Sequence, residues 1–413
     1  MLPEAPDAGS LGAMTRLLLT GAVIVDGTGA DPATAELVVE DGRILDIGRG
    51  LDGDEAIDLA GKAVLPGLFD CHTHVVISSI DAVRNLQTPF SYRFYEAAEN
   101  LRATLAVGIT TVRDAGGADL GIKQAVDDGR IPGPRMQISL SMITQTGGHG
   151  DPWTVSGSDL PFFPLHPGVP DTKVDGPDEM RRVVRTLVRM GADVIKVATS
   201  GGVLSARDKP THAHLRPAEL DVLVEEAEAA GIWVMAHAQA TPGIKNAIRA
   251  GIRSIEHGIY LDDEAISMML ERGTWLVPTL VAPRGVIDAA DAGAAIPEAS
   301  VAKAREVVEI HRDSFARAVA AGVNVAMGTD SGVTPHGENL RELTLMAEGG
   351  MTPMDALVAA TSSAAELMGL REDLGTLEIG KVADLVVVDG DPLTLDTLAE
   401  RVESVYRAGV QVV

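Results

Sequence analysis

The chain has 413 residues, of which 46% are hydrophobic and 23% charged, so its composition predicts a folded protein with a large core rather than global disorder. The formal net charge of −25 makes nucleic acids and anionic membranes unfavourable partners. Apolar runs such as Leu17–Val25 are far shorter than the roughly 18 residues that span a bilayer. The single cysteine, Cys71, excludes a disulfide within the chain and favours a cytoplasmic location.

The two ends of the chain share one style of sequence. Residues 1–14 are acidic and rich in proline and glycine, which predicts a disordered tail. Residues 15–64 contain short β-branched runs separated by turn sequences such as DG. Residues 373–413 have the same pattern. The sequence therefore predicts one small composite β-sandwich domain formed by both termini.

The middle of the chain, residues 65–372, alternates between strand-like and helical patterns. Several helical patterns begin with proline or an acidic turn and end with glycine. The clearest of them are Tyr95–Ala106, Pro177–Met190, Pro217–Ala230, Pro242–Ala250, Asp262–Arg272 and Val301–Ala321. The strand-like runs are GLFDCHTHVV, GITTVRDAG, RMQISLSMIT, ADVIKVATSGG, GIWVMAHAQ, SIEHGIY, TWLVPTLV and VNVAMGTDSG. This alternation predicts an α/β fold, a catalytic (β/α)8 TIM barrel.

Metal-binding side chains lie where these predicted strands end. In a TIM barrel the carboxyl ends of the strands form the active face, so these side chains are expected to converge. His72 and His74 are two residues apart on the first strand, so both point to one face. The other candidates are Lys196 on the fourth strand, His237 on the fifth, His257 on the sixth and Asp330 on the eighth.

Imidazole and carboxylate groups together are the ligands that zinc-type ions accept. Each candidate has a plainer explanation when taken alone. Two histidines can punctuate a strand, Lys196 can be structural or bind phosphate, and Asp330 can cap a helix. The arrival of all six groups at predicted strand ends favours a metal site, and two neighbouring ions there could share a hydroxide.

Eight motifs follow one another along the chain in the order LPGLFDCHTH, GITTVRDAGG, TGGHGD, IKVATSGG, AHAQ, SIEHG, GTDSG and GTLEIGKVADLVVVDGDP. Together they resemble the amidohydrolase superfamily, from about residue 15 to residue 413. The set is most similar to the imidazolonepropionase-like branch that carries a strand-4 lysine, which includes metal-dependent Xaa-Pro and Xaa-Arg carboxypeptidases and ochratoxinase-type amidases.

This resemblance implies a binuclear centre with two divalent metal ions per chain, zinc being the first choice. Lys196 is then carboxylated by CO2, and its carbamate bridges the two ions. His72, His74 and Asp330 are expected to hold one ion, and His237 and His257 the other.

The implied reaction is hydrolysis of an amide or peptide bond next to a C-terminal amino acid, in a dipeptide or an N-acyl amino acid, with ochratoxin-type amides among the candidates. A metal-bridging hydroxide attacks the carbonyl, and Asp330 passes the proton to the leaving amine. The partner is a small-molecule amide or dipeptide, and the resemblance implies a homo-oligomer.

Two other functions remain open. Hydrolysis of a cyclic amide, as by imidazolonepropionase, or a deaminase reaction could use the same scaffold, and a single metal without a carbamate on Lys196 would favour it. A non-catalytic scaffold protein is the more remote alternative, since such relatives have typically lost metal ligands that this chain retains.

Four residues are weaker candidates for substrate binding. His149, between glycines in TGGHGD, is expected to bind substrate or polarise an oxyanion rather than only fix its loop. Arg207 and His214 lie in the long loop after the fourth strand, where Arg207 could pair with a substrate carboxylate or remain a solvated charge. His336 could line the pocket or only begin a helix. Leu215 stands roughly where relatives often carry an aromatic residue, which leaves their substrate preference in doubt here.

Three further features have mainly structural interpretations. Cys71 should point away from the two neighbouring histidines and behave as a small buried hydrophobic residue. The proline-rich excursion at residues 151–176, which contains His166, is long enough to form a lid or an oligomer contact. His311, in the middle of a predicted helix, is expected at the surface.

Overall fold

A computed structural model describes residues 16–205 and 208–413 of the chain. The predicted tail at residues 1–14 and the candidate Arg207 lie outside the described residues.

The N-terminal segment forms seven short strands. Four of them make a sheet in the order β5-β4-β1-β6, in which β1 pairs antiparallel with β4. The strands are β1 (Leu17–Thr20), β2 (Val23–Ile24), β3 (Ala33–Thr34), β4 (Glu36–Glu40), β5 (Arg43–Gly48), β6 (Glu55–Asp58) and β7 (Lys62–Pro66).

The middle of the chain contributes parallel strands. Three form a sheet in the order β10-β9-β8, and five form a second sheet in the order β11-β12-β13-β14-β15. They are β8 (Leu68–Thr73), β9 (Ile109–Asp114), β10 (Arg135–Ile138), β11 (Met142–Ile143), β12 (Val194–Ala198), β13 (Trp233–Ala238), β14 (Ser254–His257) and β15 (Trp275–Val277).

The segment 323–331 lies between these two sheets. Parallel bridges join Leu276 of β15 to Val325 and Thr73 of β8 to Ser331. The predicted eighth strand thus occupies the expected place but forms bridges instead of a regular strand. The predicted third strand is divided into β10 and β11, and Leu140 between them has φ +65, which breaks extended pairing. Among the described residues the sheets do not close into one continuous barrel.

Helices follow most of the parallel strands, and their ends obey the signals in the sequence. α4, α5, α6 and α11 have proline in their first turn, while α6, α7 and α9 end at a left-handed glycine. The helices are α1 (Ala82–Gln87), α2 (Tyr92–Ala106), α3 (Leu120–Asp127), α4 (Pro177–Arg189), α5 (Pro217–Ala229), α6 (Thr241–Ala250), α7 (Asp263–Arg272), α8 (Val281–Asp291), α9 (Glu298–Ala321), α10 (Arg341–Glu348), α11 (Pro353–Ala359) and α12 (Ser362–Leu367).

The six helices that the sequence predicts most clearly are all present, with ends that differ by at most a few residues. In the described part of the chain, no helix combines the length and the apolar character that crossing a membrane requires.

The C-terminal segment returns to the N-terminal strands. Its strands β16 (Leu385–Asp389), β17 (Val402–Arg407) and β18 (Val410–Gln411) complete a six-stranded sheet in the order β18-β17-β16-β7-β2-β3. A hydrophobic cluster separate from the main core includes Leu19, Val64, Leu385 and Tyr406. Strands from both ends of the chain therefore share one sheet and one core, while the boundaries at 64 and 373 stay a prediction.

Candidate active site

Carboxyl ends of parallel strands bring the predicted metal-binding side chains together. The Lys196 Nζ atom lies 3.3 Å from His72 Nε2. The Asp330 Oδ1 atom lies 3.5 Å from His72 Nε2 and 3.2 Å from His74 Nε2. Groups from three parts of the sequence that are more than a hundred residues apart are thus in mutual contact.

The two remaining histidines complete this cluster. The ring centroid of His257 is 5.1 Å from that of His72 and 4.7 Å from that of His237. The structure therefore gathers all six predicted ligands at one place, and His72, Lys196, His237 and His257 are buried there.

The backbone at two of these positions has an unusual conformation. His257 has φ +72 and Asp330 has φ +61, in the left-handed region that non-glycine residues rarely adopt. Such conformations are unfavourable by about 1–3 kcal/mol and cluster at active sites. His257 is the last residue of β14 and Asp330 lies in the bridging segment 323–331, so the unusual backbone is located at the cluster.

Hydrogen bonds determine which ring nitrogen faces the cluster. When Nδ1 donates its proton to a protein acceptor, Nε2 is left without a proton and can bind a metal ion. Three of the four histidines bond through Nδ1: His72 to Glu256 Oε2 at 2.7 Å, His74 to the Gly116 carbonyl at 2.9 Å and His257 to the Thr279 hydroxyl at 2.7 Å.

His237 has the opposite arrangement. Its Nε2 donates to the Gly201 carbonyl at 3.1 Å, which leaves Nδ1 as the unprotonated nitrogen. The ring of His149 stacks on it, with centroids 4.1 Å apart and planes 13° from parallel.

The electrostatics of the cluster favour neutral imidazoles at three of the four histidines, whereas the neighbouring Asp330 raises the pKa of His74 despite its burial. Burial holds the pKa of His72, His237 and His257 well below the usual value, and neighbouring cationic groups lower it further. Burial also lowers the pKa of Lys196 to about 8. For Asp330, burial would raise the pKa, but the rings of His72 and His74 hold it below the usual value.

The donor set fits a divalent metal ion. Ligand atoms of His72, His257 and Asp330 all lie within 4.8 Å of one another, so one ion could contact all three. Neutral imidazole nitrogens and an ionised carboxylate are the forms that bind zinc-type ions.

A buried ion pair between Arg113 and Glu256 orients His72. Arg113 Nη2 donates to Glu256 Oε1 at 3.0 Å, while the other carboxylate oxygen accepts from His72. Arg113 Nε also donates to the Cys71 carbonyl at 2.7 Å. Neither residue was predicted from the sequence, although a charged side chain in the middle of each strand-like run, GITTVRDAG and SIEHGIY, was a signal.

His149 is held by the loop that follows β12. Its Nδ1 lies 3.0 Å from Asp208 Oδ2 and 2.8 Å from Ser205 Oγ. Asp208 in turn pairs with Lys303 of α9, at 3.3 Å between Oδ1 and Nζ. An alanine Cβ at Gly202 would lie 2.2 Å from the His149 ring, so glycine is needed for this approach.

A cavity of about 520 Å³ contains the cluster and His149. Much of its wall is apolar, as is usual for small-molecule sites. Apolar lining residues include Phe162, Phe163, Val203, Ile259, Val286 and Ile296.

Two of the weaker candidates do not line this cavity. His214 accepts a hydrogen bond from the His149 backbone N–H at 3.3 Å, and burial lowers its pKa to about 4. His336 donates to the Ile77 carbonyl at 3.1 Å. Both positions favour a supporting role over direct contact with a substrate.

The structural interpretations have mixed outcomes. Cys71 is buried in a hydrophobic cluster with Phe69 and Val277, as predicted.

The prediction that His311 lies at the surface is wrong. Its side chain is 2% exposed, donates from Nε2 to the His257 carbonyl at 2.8 Å and lines the cavity. A helical pattern alone could not show that α9 packs beside β14. The excursion at 151–176 supplies cavity lining, including Phe163, whereas its lid or oligomer role stays a prediction.

Known proteins are similar to this chain over most of its length. Residues 63–412 match the family model described as the amidohydrolase family. Ochratoxinase from Aspergillus niger is 34% identical over 397 residues, which cover 91% of this chain and 82% of that protein. Imidazolonepropionase from Rhizorhabdus wittichii is 27% identical over 400 residues and covers 90% of each protein.

Solved structures agree with the sequence comparisons. A crystal structure of a Xaa-Pro dipeptidase with bound methionine in the active site has a TM-score of 0.88 and 33% identity, covering 96% of this chain and 99% of that one. Such neighbours imply a TIM-barrel-type fold with a separate domain. The match over most of the chain, together with buried histidines, a lysine and an aspartate at the strand ends, shows that this protein is a member of the amidohydrolase family and a hydrolase of amide C–N bonds.

Proposed function

We propose that this protein is a binuclear metal-dependent hydrolase that cleaves the amide bond next to the C-terminal amino acid of an N-acyl amino acid or a dipeptide. The observation that carries the proposal is the convergence of six metal-binding side chains beside a largely apolar cavity. The similarity to an ochratoxinase and to a Xaa-Pro dipeptidase supports this substrate class.

His72, His74 and Asp330 would hold one divalent ion and His237 and His257 the other, with zinc as the first candidate. The hydrogen bonds at the opposite ring nitrogens orient His72, His74 and His257 for this task. Bound ions of this kind supply Lewis acidity, which activates water and polarises a carbonyl oxygen.

Lys196 fits this proposal as a carbamate. The neutral amine nitrogen forms a bond to the carbon of CO2 and releases one proton, which gives a carbamate anion. Starting from the ammonium cation, two protons leave in all. The side chain is 1% exposed and lies 3.3 Å from His72, so a charged ammonium there would repel a metal ion. A carbamate would instead supply two anionic oxygens as metal ligands.

Replacing Lys196 by methionine is expected to remove the carbamate and the bridge between the ions. After incubation with 13C-labelled bicarbonate, the wild-type protein should show a carbamate carbon signal in NMR spectra that Lys196→Met lacks. The variant should also lose at least one metal ion, and kcat/KM should fall by about 100-fold or more. Lys245→Met, at a lysine paired with Asp262 outside the cavity, is the control. An unchanged carbamate signal in Lys196→Met would contradict the assignment.

The protein's own side chains would handle the proton and the developing charge. Asp330 takes a proton from the attacking water and transfers it to the leaving amine, because its carboxylate borders the cavity and the cluster. With a proton on both ring nitrogens, His149 donates from Nδ1 to Asp208, which holds its orientation, and from Nε2 to the carbonyl oxygen as that oxygen becomes negative.

The Gly202→Ala variant tests the position of His149. Its new Cβ would overlap the buried His149 ring and displace it, so kcat should fall by roughly 10- to 100-fold while the fold persists. The overlap should also lower the free energy of unfolding by about 1–3 kcal/mol, so kcat is measured well below the unfolding transition. Gly48→Ala is the control, since a Cβ there meets only ordinary contact with Leu51 at 3.6 Å. Wild-type kcat in Gly202→Ala would show that the His149 position is unimportant.

Metal analysis of the purified protein and a substrate panel test the proposed function together. The panel contains N-acyl amino acids and Xaa-Pro, Xaa-Phe and Xaa-Arg dipeptides. We expect two divalent ions per chain and release of a free amino acid from at least one member. A single ion with no hydrolysis across the panel would contradict the proposal and favour a cyclic-amide hydrolase instead.

A further inference from the structure

The charged side chains of the cavity wall differ in whether an opposite charge lies beside them. Apart from the histidines, the described charged residues in the lining are Arg93, Glu96, Asp151, Lys196, Asp208 and Asp330. Lys196 and Asp330 belong to the metal-binding cluster, and Asp208 is bound to His149 and Lys303.

The other two acids are engaged by cations. Asp151 Oδ1 lies 3.6 Å from Lys173 Nζ, and its Oδ2 accepts from the Gly147 N–H. The Glu96 carboxylate forms an ion pair with Arg84. Arg93 is therefore the cation of the cavity wall, outside the metal-binding cluster, that forms no ion pair with a described residue.

Arg93 is the second residue of α2 and is partly buried. Its guanidinium makes one long hydrogen bond, from Nη2 to the Asn85 carbonyl at 3.4 Å, and no described carboxylate lies within ion-pair distance. Burial lowers the pKa of Arg93, although Glu96 opposes this, but a guanidinium stays charged at neutral pH. A partly desolvated cation of this kind attracts an anion that enters the cavity.

The surroundings of Arg93 match the end of a small acidic ligand. Polar lining residues nearby in sequence are Ser78, Ser79, Asn85 and Thr88, while Ile80 adds an apolar contact. A carboxylate can accept two parallel hydrogen bonds from one guanidinium, which orients the ligand as well as binding it.

We propose that Arg93 binds the carboxylate of the amino-acid part of the substrate and of the amino-acid product. The inference rests on the proposed function, because only an amide of an amino acid brings a carboxylate into this cavity. The enzyme then selects substrates that have a free carboxylate beside the scissile bond and an apolar group on the acyl side. In this arrangement the charge recognition comes from the first turn of α2 rather than from Arg207.

Binding of the product tests Arg93 independently of turnover. Calorimetric titration of the metal-loaded protein with L-phenylalanine and with L-phenylalaninamide compares ligands that differ in the carboxylate. We expect the wild-type protein to bind the acid at least about tenfold more tightly, since hydrogen bonds to charged groups are worth that much. Arg93→Met should remove the preference, and Arg93→Lys should retain part of it.

Two other arginine variants complete the comparison. Arg102→Met changes an exposed residue on the same helix, paired with Glu99 and outside the cavity lining, and should keep the preference. Arg207→Met should also keep it. Loss of the preference in Arg207→Met but not in Arg93→Met would overturn the proposal, and so would a wild-type protein without any preference for the acid.

Kinetics separate this inference from the proposed function. With N-acyl-L-phenylalanine as substrate, Arg93→Met should raise KM by about tenfold or more and leave kcat within about threefold. If the wild-type protein cleaves this substrate but Arg93→Met has an unchanged KM, Arg93 is not the carboxylate site although the function stands. If the wild-type protein cleaves none of the panel but binds the acid through Arg93, the binding site stands and the proposed reaction fails.

Discussion

The Asp330→Asn variant is expected to lose nearly all turnover while it keeps its fold and much of its metal. The amide oxygen can still contact an ion, but the side chain can no longer accept and transfer a proton. General acid–base catalysis contributes about 100- to 10,000-fold, so kcat should fall by that order. Asparagine suits this test because Asp330 has φ +61, a conformation that Asn tolerates better than most residues.

The Asp41→Asn variant is the matched control. Asp41 also has a positive φ, of +52, but lies in the exposed turn between β4 and β5, away from the cavity. It should have wild-type kcat and metal content, measured by steady-state kinetics and elemental analysis. Near-wild-type kcat in Asp330→Asn would exclude Asp330 as the group that transfers the proton.

The largest loss of stability is expected from Glu256→Gln. Arg113 and Glu256 are 3% and 0% exposed, so the substitution leaves a buried guanidinium without its counter-charge. Breaking a buried ion pair at one side destabilises a protein by about 3–5 kcal/mol. His72 also loses the acceptor that orients its ring, so metal affinity should fall by about 10- to 100-fold.

Urea unfolding of the metal-free protein measures the first effect, and metal titration measures the second. Glu366→Gln is the control, because Glu366 pairs with Arg371 at 2.9 Å on the surface, where such pairs contribute about 1 kcal/mol or less. The double variant Arg113→Met/Glu256→Gln should regain stability without regaining metal affinity. Equal losses in Glu256→Gln and Glu366→Gln would show that the buried pair does not stabilise this fold.

Local sequence patterns predicted most secondary structure because they report local chemistry. Proline in the first turn defines the start of α4, α5 and α6 closely, and a left-handed glycine defines the end of α6 and α7. The same patterns predicted a continuous third strand and a regular eighth strand, and the structure has neither. There Leu140 takes a left-handed conformation, and segment 323–331 makes bridges in place of a full ladder.

The candidate metal-binding residues were predictable for a related reason. Parallel strands place their carboxyl ends at one face, so position along each strand is enough to bring His72, Lys196, His237, His257 and Asp330 into one cluster. No comparable rule predicts the residues that support the cluster. Glu256 reaches His72 and Arg113 across 184 and 143 positions of sequence.

The sequence alone therefore specified which residues could bind metal, because strand position and ligand chemistry are both readable along the chain. Only the packing of distant segments decided the rest. It set the ring nitrogen of each histidine that faces the cluster and buried His311 against the His257 carbonyl. It also left Arg93 without an ion pair in the part of the chain that the structure describes. Such properties depend on which groups become neighbours in space, and no local pattern in this chain encodes that.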